Sequence, residues 1–221
     1  MMPTRRTFAS IACLTALLGL LHAGPSSAGP AEDYADGSKR YAQGDLIAAM
    51  PLLQRAADAG HAAAQAALAE IFDQSDNSTD AAEYFRKSAL QGNADGQFGL
   101  GALLAAGQGT PKNLAEARKW IQLAAEQGQK LAINELALAY MNGGLDLPDE
   151  ARRSPEALRW IMAAADNDYL TAMERLAAAY RSGELGLRVD AKAAAQWDAR
   201  VNKARGTRQG RRNKKGASGN E

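Results

Sequence analysis

The sequence has little of the chemistry that catalysis or metal binding needs. Its 221 residues include a single cysteine, Cys13, and only two histidines, His22 and His61. Cysteine and histidine supply most structural zinc sites, and a chain with one cysteine forms no internal disulfide. No nucleophile-elbow, zinc-protease or phosphate-loop pattern occurs. The sequence therefore argues against a metalloprotein, a thiol enzyme and a disulfide-stabilised domain.

The sequence also lacks a hydrophobic run long enough to cross a membrane. Its N-terminal apolar run covers eleven residues, 11–21, whereas a spanning helix needs about 20. The basic pair Arg5-Arg6 precedes this run, and the small residues 26–28 follow it. This is the pattern of a signal peptide over residues 1–28.

Two export routes fit this signal peptide. The stretch Thr-Arg-Arg-Thr-Phe at residues 4–8 resembles the twin-arginine motif, although Ala9 replaces the usual leucine. The alternative is a general secretory signal that carries two arginines. Either route predicts a periplasmic or secreted mature protein without Cys13 and without a transmembrane span. A protein in that location has no nucleic-acid partner.

The chain has no large excess of positive or negative charge, but its charged residues are unevenly distributed. The formal net charge is only +1, so the total charge predicts no partner. Seven basic residues and one acid fall within the last nineteen residues, which leaves the rest of the chain acidic. Residues 205–221 also have no apolar periodicity and predict a disordered basic tail. Such a tail either is simply solvated or binds an anionic surface such as lipid headgroups.

A small–large–small pattern that recurs five times is the strongest signal that the sequence does contain. The large residue follows the first small one by three positions, and the second small one follows after four more. The copies are Ala49/Leu52/Ala56, Ala81/Tyr84/Ser88, Ala117/Trp120/Ala124, Ala157/Trp160/Ala164 and Ala194/Trp197/Val201. Their spacings of 32, 36, 40 and 37 residues are typical of stacked helical hairpins. The pattern predicts an all-α solenoid, a class that usually holds partners.

Five hairpins follow from this pattern and from the turns between the helices. The predicted helices are 32–43 and 46–59, 62–73 and 79–91, 94–106 and 113–127, 130–142 and 154–167, and 170–183 and 189–204. Gly60, Gly92 and Gly128 occupy equivalent turns, where glycine adopts the left-handed conformation at no steric cost. Asp168 takes the fourth turn, and His61 is expected to have a turn or capping role. The spaced glycines of residues 96–101 fall at small positions of the repeat, so they are expected to serve helix packing.

The first predicted helix differs from the others because it is polar. Glu32, Asp33 and Asp36 interrupt any apolar stripe there. End units of a repeat array need a solvated outer face, so this helix is expected to cap the solenoid. The repeat array then covers residues 29–204.

These repeats resemble the Sel-one-like repeat family, a subfamily of the tetratricopeptide-like solenoids. The resemblance covers residues 41–204 and is carried by A-E-A-R-K-W-I-Q-L-A-A-E-Q-G at 115–128 and A-L-R-W-I-M-A-A-A at 157–165. The linker G-Q-G-T-P-K-N at 107–113 also matches the family pattern. The resemblance implies a right-handed α-solenoid that acts as an adaptor at the bacterial envelope, without a cofactor.

The resemblance also implies where a partner would bind. In tetratricopeptide-like arrays the first helix of each hairpin lines a concave groove. Carried over to this sequence, the binding residues are Glu70, Asp73, Phe98, Asn134, Leu138, Met141, Glu174 and Arg181, with the small neighbours Ala66, Ala102, Ala105 and Ala178. Their spacing, close to i, i+4, i+7, places each set on one helix face. The implied groove is acidic at its N-terminal end, apolar in the middle and mixed near Arg181.

Two questions stay open at this point. Phe98, Leu138 and Met141 either form the apolar groove or pack against the neighbouring hairpin. The predicted function is an exported, non-catalytic scaffold that binds a protein or peptide partner of the cell envelope. The first alternative is a regulatory subunit that restrains an envelope sensor or secretion complex. The second is an enzyme acting on cell-wall glycan, which requires a carboxylate with a raised pKa in a cleft where acids converge.

Overall fold

The computed structural model describes residues 29–217 of the chain, and the side chains of residues 29–207. Over this range the chain is an all-α solenoid with no strand. The helices are α1 (Pro30–Ala42), α2 (Leu46–Asp58), α3 (Ala62–Gln74), α4 (Ser78–Leu90), α5 (Ala94–Ala106), α6 (Leu114–Glu126), α7 (Lys130–Asn142), α8 (Pro155–Asp166), α9 (Leu170–Ser182) and α10 (Ala191–Ala217). A short 3-10 helix, Asp149–Arg153, precedes α8. The predicted signal peptide lies outside the described residues.

Consecutive helices pair into the five predicted hairpins and stack on the next hairpin. We call the first helix of each hairpin its A helix (α1, α3, α5, α7, α9) and the second its B helix. No helix in the described part of the chain is both long enough and apolar enough to cross a bilayer. The fold class that the repeat predicts, an all-α solenoid, is confirmed by the all-helical content and by the stacked hairpins.

Local side chains cap the starts of these helices, and a left-handed residue forms a turn between two of them. Asn93, Asn113 and Ser154 each accept a hydrogen bond from the backbone N–H three residues later, at 2.9–3.1 Å. His61 does the same for α3, because its Nδ1 accepts from the Ala64 N–H at 3.2 Å. The capping role predicted for His61 is confirmed. Asp168 adopts a left-handed conformation with φ of 59°, in the turn where the other hairpins use glycine.

The packing stripe forms a core that runs along the solenoid. Its alanines and leucines are almost completely buried; examples are Ala49, Leu68, Ala117, Leu136 and Ala164. Phe72 and Tyr84 join the core of the first three helices to that of the rest, with ring centroids 5.6 Å apart. The large residues of the triads are not equivalent, however. Trp160 is 2% exposed, whereas Trp120 and Trp197 are half-buried.

The first hairpin departs from the expected solvated cap. Asp33 of α1 is buried, and its two carboxylate oxygens accept hydrogen bonds from Arg55 of α2 at 2.5 and 3.0 Å. A carboxylate that loses water in this way needs a charged partner, and Arg55 supplies it. Glu32 and Asp36 remain exposed. The polar character of α1 therefore serves one internal ion pair as well as the outer surface.

The last helix runs further than the repeat pattern does. The pattern ends at residue 204, but α10 continues to Ala217. Lysine and arginine are good helix formers, and no proline interrupts this segment. The division between a repeat array ending at 204 and a tail over 205–221 stays a prediction.

Candidate partner-binding groove

The residues that the resemblance assigns to a groove all lie on A helices and reach solvent. Glu70 and Arg181 are exposed. The remaining six are half-buried: Asp73, Phe98, Asn134, Leu138, Met141 and Glu174. Among their small neighbours, Ala66 is buried, and Ala102, Ala105 and Ala178 are accessible. The A helices therefore present one accessible face, but its parts differ in chemistry.

The N-terminal part of this face forms a cavity of about 320 Å³, which we call the A-face cavity. It brings together three predicted residues, Glu70, Asp73 and Phe98. Asp95 and Leu131, which the resemblance did not assign, also line it. They precede Phe98 and Asn134 by three residues, so each lies one helical turn earlier on the same face. That spacing was the available signal for both.

The floor of the A-face cavity is apolar, and its charged side chains are all carboxylates, beside the neutral polar groups of Tyr34 and Gln129. Small alanines of α3 and α5 form this floor together with Phe98. Glu70 accepts a hydrogen bond from Gln74 at 3.3 Å, and Asp95 accepts one from Gln129 at 3.3 Å. None of the three carboxylates forms an ion pair with a side chain that the structure describes, and no lysine or arginine lines the cavity. The cavity is therefore apolar at its base and negatively charged.

The C-terminal part of the face is tied to α10 instead. Arg181 donates to both carboxylate oxygens of Asp198 at 2.5 Å. Arg205 donates to Glu174 at 2.6 Å. Both predicted charges are thus satisfied within the chain, and the mixed end of the face has less unpaired charge than the sequence suggests.

The residues in the middle of the face were expected either to line an apolar groove or to pack against the neighbouring hairpin. Phe98 and Met141 both contact the main core cluster, as the packing alternative requires. Phe98 also lines the A-face cavity, so one side chain serves both purposes. Leu138 is half-buried on α7, and the neighbouring Asn134 has a buried Oδ1 without a hydrogen-bond partner among the described residues.

A second and larger cavity, of about 780 Å³, lies beside the linkers that join A to B helices in the last two hairpins. Met141 lines it, together with arginines and acids of residues 149–153 and 175–186. The sequence marks residues 143–153 as a long charged loop but does not predict a cavity there. The reason is that the opposite wall comes from a linker about 30 residues later.

The charged groups of this linker cavity are largely paired. Arg175 contacts Glu184 at 2.6 Å, and its hydrogen bond and charge hold the pKa of Glu184 below its ordinary value. Burial raises the pKa of the Tyr140 phenol to about 12, and the charge of Glu156 adds to this effect. At neutral pH the cavity thus holds an ionised Glu184 and a neutral Tyr140. Within residues 29–217, no group of three His, Cys, Asp or Glu side chains is placed to hold a metal ion.

Comparison with known families agrees with the hairpins seen in the structure. The family described as Sel1 repeat matches five consecutive segments, 34–61, 62–93, 94–129, 130–169 and 170–197. Each segment corresponds to one A helix and the B helix that follows it. No curated protein matches the sequence.

Three solved structures with the same fold come from bacteria. A protective antigen of uropathogenic Escherichia coli strains, with an SLR fold, is 27% identical with a TM-score of 0.68. The alignment covers 79% of this chain but only 38% of that antigen. A Sel1 repeat protein from Oxalobacter formigenes is also 27% identical, with a TM-score of 0.64 and coverage of 79% and 71%. A putative sel1 repeat protein from Klebsiella pneumoniae, at 20% identity and a TM-score of 0.54, shares the fold over 79% of this chain and 89% of its own.

Proposed function

Because this chain belongs to the Sel1 repeat family, we propose that it is an exported, non-catalytic scaffold that holds a protein or peptide partner of the cell envelope on its A-helix face. Sel1 repeats are helical-repeat scaffolds suited to protein interaction. The observation that carries the proposal is the A-face cavity, where Glu70, Asp73 and Phe98 meet at an accessible apolar floor. Accessible apolar surface flanked by polar groups is typical of sites that bind a peptide or a partner helix.

The alternatives differ in how well the geometry supports them. A regulatory subunit that restrains an envelope sensor or secretion complex uses the same face and differs only in its partner. A glycan-acting enzyme has less support, although Asp149, Glu150 and Glu184 do line one cavity. A general acid needs a raised pKa, whereas Arg175 lowers the pKa of Glu184.

Export is tested through the basic pair of the proposed signal peptide. If the route is the twin-arginine one, changing both Arg5 and Arg6 to lysine should abolish export, because that route requires the arginine pair itself. The measurement is the distribution of the protein between cytoplasmic and periplasmic fractions. Unimpaired export of the double variant assigns the chain to the general secretory route, which tolerates lysine.

The basic tail extends the same proposal to an anionic surface. Arg208, Arg211, Arg212, Lys214 and Lys215 fall within eight residues, and such clusters attract anionic lipid headgroups. Ending the chain at Ala204 should then remove binding to anionic vesicles. Equal binding by the shortened chain leaves the tail as a solvated end.

Partner capture is tested at Leu138, which lies on the middle of the A-helix face. Leu138→Asp should abolish capture, because it replaces an apolar contact by a charge in the apolar middle of the face. The measurement is affinity capture from periplasm with mass spectrometry, comparing this variant with the wild type. Leu90→Asp is the matched control, since Leu90 is 71% exposed at the end of the B helix α4.

The fold of the Leu138 variant must be checked in parallel. A cooperative thermal transition close to that of the wild type shows that the loss of capture comes from the surface. Loss of cooperative melting in Leu138→Asp would instead assign Leu138 to packing between hairpins. Capture that survives the substitution, with the fold intact, argues against this part of the face.

A further inference from the structure

Acidic charge is concentrated in the same half of the solenoid as the A-face cavity. Residues 29–111 carry eleven acidic and five basic side chains, whereas residues 112–202 carry thirteen acidic and twelve basic ones. Three of the acids in the first half, Glu70, Asp73 and Asp95, line the cavity itself. A cleft lined by charge of one sign raises the local concentration of ligands of the opposite sign.

The cavity also offers apolar surface that its own side chains leave uncovered. Leu131 is 57% exposed, and Ala102 is exposed although it lies in the middle of α5. The volume of about 320 Å³ is at the small end of the range for ligand pockets, which is about 300–1,000 Å³. Such a space accepts large apolar side chains from a partner segment and leaves the rest of that segment outside.

We propose that the A-face cavity binds a basic amphipathic segment of the partner protein. Apolar side chains of the segment enter the floor between Ala102, Phe98 and Leu131. Its lysine or arginine side chains meet the carboxylates of Glu70, Asp73 and Asp95. The inference rests on the proposed function, because it assigns the chemistry of the partner that the scaffold holds.

The basic tail of this chain satisfies only half of these requirements. Residues 205–221 have six basic residues but no aromatic residue and no Leu, Ile, Val or Met. A tail of this composition matches the carboxylates and leaves the apolar floor uncovered. The same tail is therefore a useful control for the apolar part of the inference.

The test uses the full chain and three labelled peptides in fluorescence anisotropy. The first is a helical peptide of leucine and lysine, the second replaces each lysine by glutamate, and the third is residues 205–221. The leucine–lysine peptide should bind, and its affinity should fall as salt rises, because exposed charges are screened beyond about 8 Å at 0.15 M. The glutamate peptide should not bind, and the tail peptide should bind at least tenfold more weakly.

Matched variants separate the cavity from the general acidity of the chain. The affinity for the leucine–lysine peptide should fall about tenfold in the triple variant Glu70→Gln, Asp73→Asn and Asp95→Asn, as expected for the loss of about three exposed ion pairs. The control triple removes the same number of charges from B helices, with Asp58→Asn, Asp80→Asn and Glu126→Gln. The affinity of this control variant for the leucine–lysine peptide should stay within about twofold of the wild-type affinity. Leu131→Ser should weaken binding of the leucine–lysine peptide while the protein stays folded. Leu90→Ser should leave peptide binding unchanged.

Several outcomes overturn the inference. Equal binding of the lysine and glutamate peptides, or equal losses in the two triple variants, shows that the cavity does not select basic charge. Tail binding as strong as that of the leucine–lysine peptide removes the apolar requirement. If the chain self-associates and the tail peptide disrupts that association, the cavity binds the tail of a second copy. If Leu138→Asp still abolishes partner capture in any of these cases, the scaffold function stands and only its partner chemistry is wrong.

Discussion

Replacing Trp160 by alanine is expected to lower the free energy of unfolding by about 3–5 kcal/mol, the usual range for a buried tryptophan. Trp160 lies on α8, is 2% exposed and belongs to the main core cluster. Because the side chain is almost completely enclosed by this cluster, truncation leaves a void in the core. The measurement is chemical unfolding followed by far-UV circular dichroism.

Trp120 provides the control for this prediction, because it occupies the same repeat position on α6. It is only half-buried, so Trp120→Ala should cost clearly less, about half as much. The repeat pattern by itself treats the two tryptophans as equal. Equal losses from both variants would therefore support the pattern and contradict the burial seen in the structure. In repeat arrays the hairpins can unfold separately. The unfolding of each variant should therefore be followed by more than one probe, and the free energies are compared only where the transitions coincide.

Replacing Gly96 by alanine is expected to destabilise the chain by about 3 kcal/mol, at the upper end of the range for overpacked cores. Gly96 lies in the first turn of α5, where it packs against α4. A Cβ atom at this position would lie 2.5 Å from the Ser88 Cβ and 2.9 Å from the backbone nitrogen of Ala89. Because one of these neighbours is backbone, a helix must move to make room. The measurement is the thermal midpoint together with chemical unfolding.

Two other glycines in helices test whether the loss comes from the close approach. Gly101→Ala should cost less, because its nearest neighbour is the side chain of Ile121 at 2.6 Å and the nearest backbone atom, the Ala117 oxygen, lies at 3.1 Å. Gly206→Ala should be neutral or slightly stabilising, since nothing lies within 4 Å and alanine favours helix. Ser88→Ala should rescue Gly96→Ala only in part, because it removes the nearest atom, the Ser88 Oγ, while the Cβ at position 88 remains. A Gly96→Ala variant that melts like the wild type contradicts the helix separation in the structure.

The element boundaries were largely predictable because their signals are local. Helix starts depend on side chains such as Asn93 and Ser154, which accept from an N–H three residues away. Turns depend on residues such as Gly128 and Asp168 that adopt the left-handed conformation at low cost. The repeat also places the glycines of residues 96–101 at small positions, and their packing role is confirmed because a Cβ at Gly96, Gly99 or Gly101 would overlap atoms of α4 or α6. These interactions need only a few consecutive residues, so the sequence shows them directly.

The candidate site was less predictable because it joins helices about 30 residues apart. The resemblance assigned Glu70 and Phe98, but the cavity that contains both exists only because α3 and α5 stack side by side. Asp95 and Leu131 were within reach of a helix-face argument and were not assigned. The pairing of Arg181 with Asp198 follows from the direction of α10, which the repeat pattern does not describe.

By itself, the sequence determined the five hairpins and their small and large packing positions. It could do so because periodicity and turn chemistry are encoded within one helical repeat. Only the tertiary structure decided which equivalent residues are buried, as with Trp160 and Trp120, and which charges are paired, as with Asp33. Only the structure showed that the carboxylates around the A-face cavity have no described cationic partner. These properties depend on distances between helices, and such distances are set by the side chains of every hairpin in the stack.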